Sequence, residues 1–160
     1  MKKDDAHFLR MAIQLAEEGM KKGEGGPFGA VVVNAEGEVI AKGNNRVLIS
    51  SDPTAHAEVV AIRRACAHLQ NFQLEGCTIY ASCEPCPMCL GAIYWARAER
   101  LVFAASRYDA ADIAGFDDNF IYEEIAAPFA ERRLKTTQML HEEGLKPLRL
   151  WREMENKQPY

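Results

Sequence analysis

Cys86 and Cys89 are separated by two residues in Ser82-Cys-Glu-Pro-Cys-Pro-Met-Cys89, directly after a proline. Thiolates at this spacing leave one helical turn together and converge on a single metal ion. Thirty positions before Cys86, in Pro53-Thr-Ala-His-Ala-Glu58, His56 and Glu58 offer an imidazole and a carboxylate with only Ala57 between them. One histidine and two thiolates make three ligands. A tetrahedral Zn2+ held by His56, Cys86 and Cys89 therefore keeps its fourth position for water, as catalytic rather than structural zinc sites do. Glu58 then reads as the proton shuttle, taking a proton from that water and passing it on to the reacting group.

Plainer readings stand beside this one. A CxxC pair alone is often structural zinc or buried thiol, and a lone helical histidine is usually a satisfied polar residue. The joint occurrence of both halves, each next to a proline that starts a helix, favours the metal site. Cys83 is a third thiol at the same spacing, so a Cys83, Cys86, Cys89 site stays open, with pocket lining or core the preferred role for Cys83. Cys66 and Cys77 read as small buried apolar residues.

The elements that must position these groups follow from periodicity. Apolar residues from Asp4 to Lys22 recur at helical spacing, and the Gly23-to-Pro27 run ends that helix. Phe28–Asn34 and Glu38–Asn44 read as a hairpin of two strands. Asp52-Pro53 reads as a helix start, with the helix running to about Leu69 and carrying His56 and Glu58 in its first turn. Cys77–Ala81 is a short strand, Pro85 opens a helix carrying Cys86 and Cys89, and Arg100–Ser106 is another strand. Beyond Ser106, Asp118–Ala127 and Lys135–Glu143 read as helices, and Pro147–Trp151 as a strand or an extended arm. Strands alternating with helices imply an α/β sandwich with a partly parallel sheet.

At 160 residues and 48% hydrophobic content, the chain suits one domain, residues 1–160, able to bury a core. The net charge of -4, with 19 scattered Lys and Arg, argues against a large nucleic-acid footprint, which needs clustered positive charge. Five cysteines, three of them within seven residues, fit a metal site in a reducing cytoplasm better than a disulfide framework. Acidic Asp4 and Asp5 follow Met1-Lys2-Lys3, and Arg10 and Gln14 interrupt what comes next, so neither a signal peptide nor a membrane span is expected.

The segments Gly25-Gly-Pro-Phe-Gly-Ala, Asn44-Asn45, Asp52-Pro-Thr-Ala-His-Ala-Glu, Ser82-Cys-Glu-Pro-Cys-Pro-Met-Cys, Cys89-Leu-Gly-Ala-Ile-Tyr-Trp-Ala-Arg and Gly115-Phe-Asp-Asp together resemble the bacterial guanine deaminases of the cytidine-deaminase fold. The resemblance runs over nearly the whole chain. It implies a cytidine-deaminase-like three-layer α/β/α sandwich with a mixed five-stranded sheet, and hydrolysis of guanine to xanthine and ammonia. His56, Cys86 and Cys89 would hold one zinc ion, with Glu58 shuttling protons. Asn45 would hydrogen-bond the purine, Phe28 would lie against its ring, Ala57 would contact it, and Asp118 would help protonate the departing amine. The resemblance also implies a homodimer in which residues 151–160 cover the neighbour's site, bringing Tyr160 to the partner's pocket.

Each of these assignments has a simpler counterpart: Phe28 as core, Asn45 as a turn residue, Asp117 and Asp118 as a helix cap, and Tyr160 as a frayed end. Two rival functions remain. A tRNA adenosine deaminase shares both zinc elements, but that family usually ends in a basic helix, whereas Trp151–Tyr160 is mixed in charge. A non-catalytic, zinc-stabilised binding module predicts a fourth protein ligand and a dispensable Glu58.

Overall fold

The computed structural model describes residues 4–160; the Met1-Lys2-Lys3 start weighed above lies outside the described residues. The described chain divides into two compact units, the first ending at Asn119 and the second running from Phe120 to Tyr160.

In the first unit, α1 (Asp5–Lys21) begins at Asp4, whose side chain accepts the His7 N–H, and leads to strands β1 (Gly29–Val33) and β2 (Val39–Asn44). A short α2 (Val47–Ser50) precedes α3 (Ala57–Leu69), β3 (Thr78–Cys83), α4 (Pro87–Trp95), β4 (Arg100–Ala105) and α5 (Arg107–Ala114). The sheet runs in the order β2-β1-β3-β4, antiparallel at β1/β2 and β1/β3 and parallel at β3/β4. It has four strands, not the five expected, because the fifth candidate, Pro147–Trp151, lies inside a helix of the second unit.

All five residues of β1 are buried, as suits a central strand covered on both faces. Side chains alternate between those faces. Val31, Val33 and Tyr80 pack with Phe8 and Ala12 of α1, whereas Ala30, Val32 and Ile79 pack with Ala57, Ala61 and Ala65 of α3 and Ile93 of α4. This is the expected α/β/α layering. The alanines of α3 recur every four residues, so the helix presents a smooth stripe and lies close to the sheet. The approach is tightest at Gly43 of β2: a Cβ there would lie 2.5 Å from the Ala57 carbonyl oxygen and 2.8 Å from the Ala61 nitrogen.

Two helix starts differ from expectation. Asp52 accepts hydrogen bonds from the Thr54 N–H and hydroxyl, closing a local turn, and α3 begins only at Ala57 with extended His56 as its N-cap. Pro87, not Pro85, sits in the first turn of α4, because the residue before a proline is held out of the helical region and Cys86 is therefore extended, at φ -64 and ψ 169. His56 and Cys86 thus occupy equivalent N-cap positions on two helices.

The second unit contains most of α6 (Asn119–Ala126), a single 3₁₀ turn (Phe129–Glu131) and α7 (His141–Glu153). Of the helix expected over Lys135–Glu143 only His141–Glu143 is helical, as the first turn of α7. Thr136 caps the Leu134 carbonyl, Leu140 takes a left-handed conformation, and α7 starts after it with Glu142 and Glu143 at the positive end of its dipole.

Far from the cavity described below, the Tyr80 hydroxyl donates to Asp5, which also pairs with Arg100. The Tyr80 bond, then Arg100, hold the Asp5 carboxyl below its ordinary value. A depressed carboxylate stabilises the fold above its unfolded pKa of about 3.9 and loses that contribution as pH falls through the folded value. Asp5→Ala should therefore lower the urea midpoint at pH 6 and approach wild type as the pH drops below about 4; an equal deficit at both pH values would contradict the linkage. Gly43→Ala should cost about 1–3 kcal/mol by overpacking backbone against backbone, read as a lowered urea midpoint together with reduced zinc retention.

Candidate active site

A cavity of about 560 Å³ opens at the N-termini of α3 and α4, lined by His56, Glu58 and Cys86 together with Phe28, Asn45 and Asp118. β1 ends the chain reversal that brings in Phe28, β2 delivers Asn45 just past its last residue, and β3 runs into the loop that carries Cys86. Ligands gathering at strand ends and helix N-termini is what an open α/β sheet favours.

The His56 Nδ1 atom lies 3.5 Å from the Cys86 sulfur and 3.5 Å from the Cys89 sulfur. The three ligand atoms lie within 4.8 Å of one another, and among the described residues they form the one such group. Ideal Zn–N and Zn–S bonds at a tetrahedral angle separate nitrogen from sulfur by about 3.6 Å. The donor set therefore fits zinc in both softness and spacing. The His56 side chain makes no bond to the start of α3, and its ring meets the Cys86 sulfur instead.

The electrostatics of the cavity follow from burial and from these contacts. A bond from the Cys89 thiol and another with His56 hold Cys86 down to about 4, and the Cys86 sulfur in turn raises the imidazole pKa of His56. Glu58 is only 6% exposed, and burial pushes its carboxyl pKa up. Asp118 is also raised, first by burial and then by the Cys86 thiolate. Two carboxyl groups that hold protons more tightly than usual thus face one cavity.

Cys83 is buried, with its thiol 3.5 Å from the Ser106 carbonyl oxygen and its pKa pushed up to about 11 chiefly by burial. It lines the cavity and stands outside the His56, Cys86, Cys89 group.

Asn45 is 5% exposed, and its Oδ1 accepts the Gly26 N–H at 3.3 Å and the Val47 N–H at 3.1 Å. Two N–H donors can be met only by the oxygen, so the nitrogen of this carboxamide is the part left to serve a ligand. Phe28 meets Phe116 edge to face, ring centroids 5.0 Å apart, and the two rings make an aromatic corner of the wall. Ala57 turns its methyl into the core between sheet and helix, so only its backbone can face the cavity. Tyr160 belongs to the second unit and is 69% exposed.

Among the lining residues given no role from sequence are Phe116, Glu84 and Arg107. Glu84 accepts the Arg107 N–H at 3.2 Å, tying the cysteine loop to the start of α5. Phe116 had a readable signal in its place beside Asp117 and Asp118; Arg107 had one in Ser106 and Asp109, which form the capping box that starts α5.

Residues 2–105 match the family described as the cytidine and deoxycytidylate deaminase zinc-binding region. The chain is 55% identical over 153 residues to the guanine deaminase of Bacillus subtilis (strain 168), covering 96% of this chain and 97% of the relative. The crystal structure of guanine deaminase from Bacillus subtilis superposes with a TM-score of 0.94 at 53% identity, covering 99% of each chain. A tRNA-specific adenosine deaminase from Haemophilus influenzae is 42% identical over 118 residues, 71% of this chain and 68% of the relative. With the metal-ligand geometry and these likenesses in agreement, the chain belongs to the cytidine and deoxycytidylate deaminase family.

Proposed function

We propose that this protein hydrolyses guanine to xanthine and ammonia at the His56, Cys86, Cys89 site. The observation that carries the choice of guanine is the reach of the likeness to guanine deaminase. It runs through 96% of this chain, whereas the likeness to the tRNA-specific adenosine deaminase covers 71%.

His56, Cys86 and Cys89 would hold one zinc ion, leaving its fourth position to water. When bound, zinc supplies Lewis acidity that lowers the pKa of a water molecule placed there. Glu58 accepts a proton from the attacking water on its carboxylate and returns it to the ring nitrogen beside the carbon under attack. A carboxyl raised by burial holds that proton long enough to hand it on. Asp118 then donates towards the departing amine; its raised pKa suits an acid that must be protonated when the carbon–nitrogen bond breaks. Phe28 supplies a ring face for the flat base, the Asn45 nitrogen a hydrogen-bond donor, and the backbone at Ala57 a further contact.

We further propose a homodimer in a reducing cytoplasm, with the whole chain acting as one deaminase domain and residues 151–160 as an arm that places Tyr160 at the partner's site. The second unit supports this, because α6 and α7 bury no side chain and α7 leaves Leu148, Leu150 and Trp151 exposed, an apolar surface that calls for a cover. All five cysteines are free thiols, as a reducing compartment keeps them. Among the described residues no helix is long and apolar enough to cross a membrane.

Glu58→Gln should bind zinc as wild type does and lose about 10²–10⁴-fold in kcat for guanine, measured as xanthine formation beside metal content. A variant that is folded, zinc-loaded and as active as wild type would overturn the role of Glu58; a wild type equally inert would favour the binding module. Removing the metal with a chelator should abolish turnover, and added Zn2+ should restore it while Mg2+ does not, since two thiolates and an imidazole select a softer ion.

A further inference from the structure

We propose that Gly25 is a positioning residue for this reaction. By letting its loop close on Asn45, it fixes which end of the carboxamide faces the cavity, so that the site reads a hydrogen-bond acceptor on the base. This rests on the reading above that Asn45 contacts the purine.

The observation behind it is steric. A Cβ on Gly25 would lie 2.1 Å from the Asn45 Oδ1 atom and 2.6 Å from the Asn45 carbonyl oxygen. Gly25 is not among the residues with positive φ, so its backbone conformation does not demand glycine. The closeness of Asn45 does. The same loop delivers the Gly26 N–H, one of the two donors that occupy the Asn45 oxygen and leave its nitrogen for a ligand.

The loop is fastened to the strand end beside it at several other points. The Asn45 N–H donates to the Phe28 carbonyl at 3.0 Å, and the Ile49 N–H to the Glu24 carbonyl at 3.1 Å. The Glu24 carboxylate accepts from Asn44 at 2.8 Å and from Arg46 at 2.7 Å. A methyl at position 25 must push the loop off Asn45 against all of these. The Gly26 donor then recedes, the carboxamide is free to turn over, and either its oxygen or its nitrogen can face the base. Binding becomes weaker, and above all it becomes indifferent to whether the base carries the acceptor.

The test uses the zinc-loaded full chain and reads competitive inhibition constants against guanine, so the chemistry of each inhibitor does not enter. Hypoxanthine is compared with purine, 7-deazahypoxanthine and 3-deazahypoxanthine, which lack O6, N7 and N3 in turn. In wild type, one of the three should bind about tenfold to about 100-fold more weakly than hypoxanthine, the discrimination expected of one satisfied donor. That difference should vanish in Asn45→Asp, which keeps an oxygen for the two N–H groups but offers no donor, and likewise in Gly25→Ala. Should Gly25→Ala be recovered unfolded, Glu24→Gln loosens the same loop without adding an atom and should reduce the difference in the same direction.

A purely structural role predicts that Gly25→Ala weakens all four inhibitors in parallel. If Gly25→Ala keeps the wild-type difference while Asn45→Asp abolishes it, the assignment of Gly25 is overturned and Asn45 stands. If Asn45→Asp also keeps it, or if wild type shows no difference, the contact of Asn45 with the base is overturned and this inference falls with it.

Discussion

The site depends on how closely α3 lies against β2. At Gly43 there is no room for a methyl between strand and helix backbone, and that contact fixes the height of Ala57 over the sheet. His56 and Glu58 flank Ala57, so one packing contact sets the positions of a candidate metal ligand and of the proposed proton shuttle together. The other two ligands arrive from β3, which is buried and pairs on both sides, through a loop stiffened by Pro85 and Pro87. Two rigid supports thus aim three soft donors at one point, as precise metal geometry requires.

Burial then gives these groups their chemistry. In the same cavity a carboxyl, Glu58, is pushed towards its neutral form by loss of water, while a thiol, Cys86, is pulled towards its charged form by a donor thiol and an imidazole. Environments that drive neighbouring groups in opposite directions are how a small site holds a base and an acid at one pH. Asp118 adds a second raised carboxyl to the same cavity, and Phe28 and Phe116 form the aromatic corner proposed to receive the flat base.

Much of this was legible in the sequence because the signals are local. The HxE and CxxC spacings place their side chains whatever the details of the turn, and the Val- and Ile-bearing strands β1 and β2 were found close to their true limits. The helix starts were misjudged because each region offers a second start signal that serves another turn, Asp52-Pro53 before α3 and Pro85 before Pro87 at α4. Asp52 was read as the cap of α3 but caps a turn of its own, and Pro85 was read as opening α4 although Pro87 does so. Neither error moved a ligand, since an N-cap and a first-turn position lie within one turn of each other. The C-terminal third was harder. Pro147 suggested an extended segment, yet it sits inside α7, whose apolar residues lack the buried partners that make a helix easy to recognise. The closeness of Gly25 to Asn45 was not legible at all, because it joins residues 20 apart through a loop that only the folded chain defines.

The most direct test of the account is to supply the zinc-loaded protein with guanine, adenine, cytosine and a tRNA anticodon stem-loop in parallel, following base conversion together with ammonia. The account predicts that guanine alone is consumed and that xanthine and ammonia appear in equal amounts. Conversion of adenosine in the stem-loop, with guanine left untouched, would contradict it.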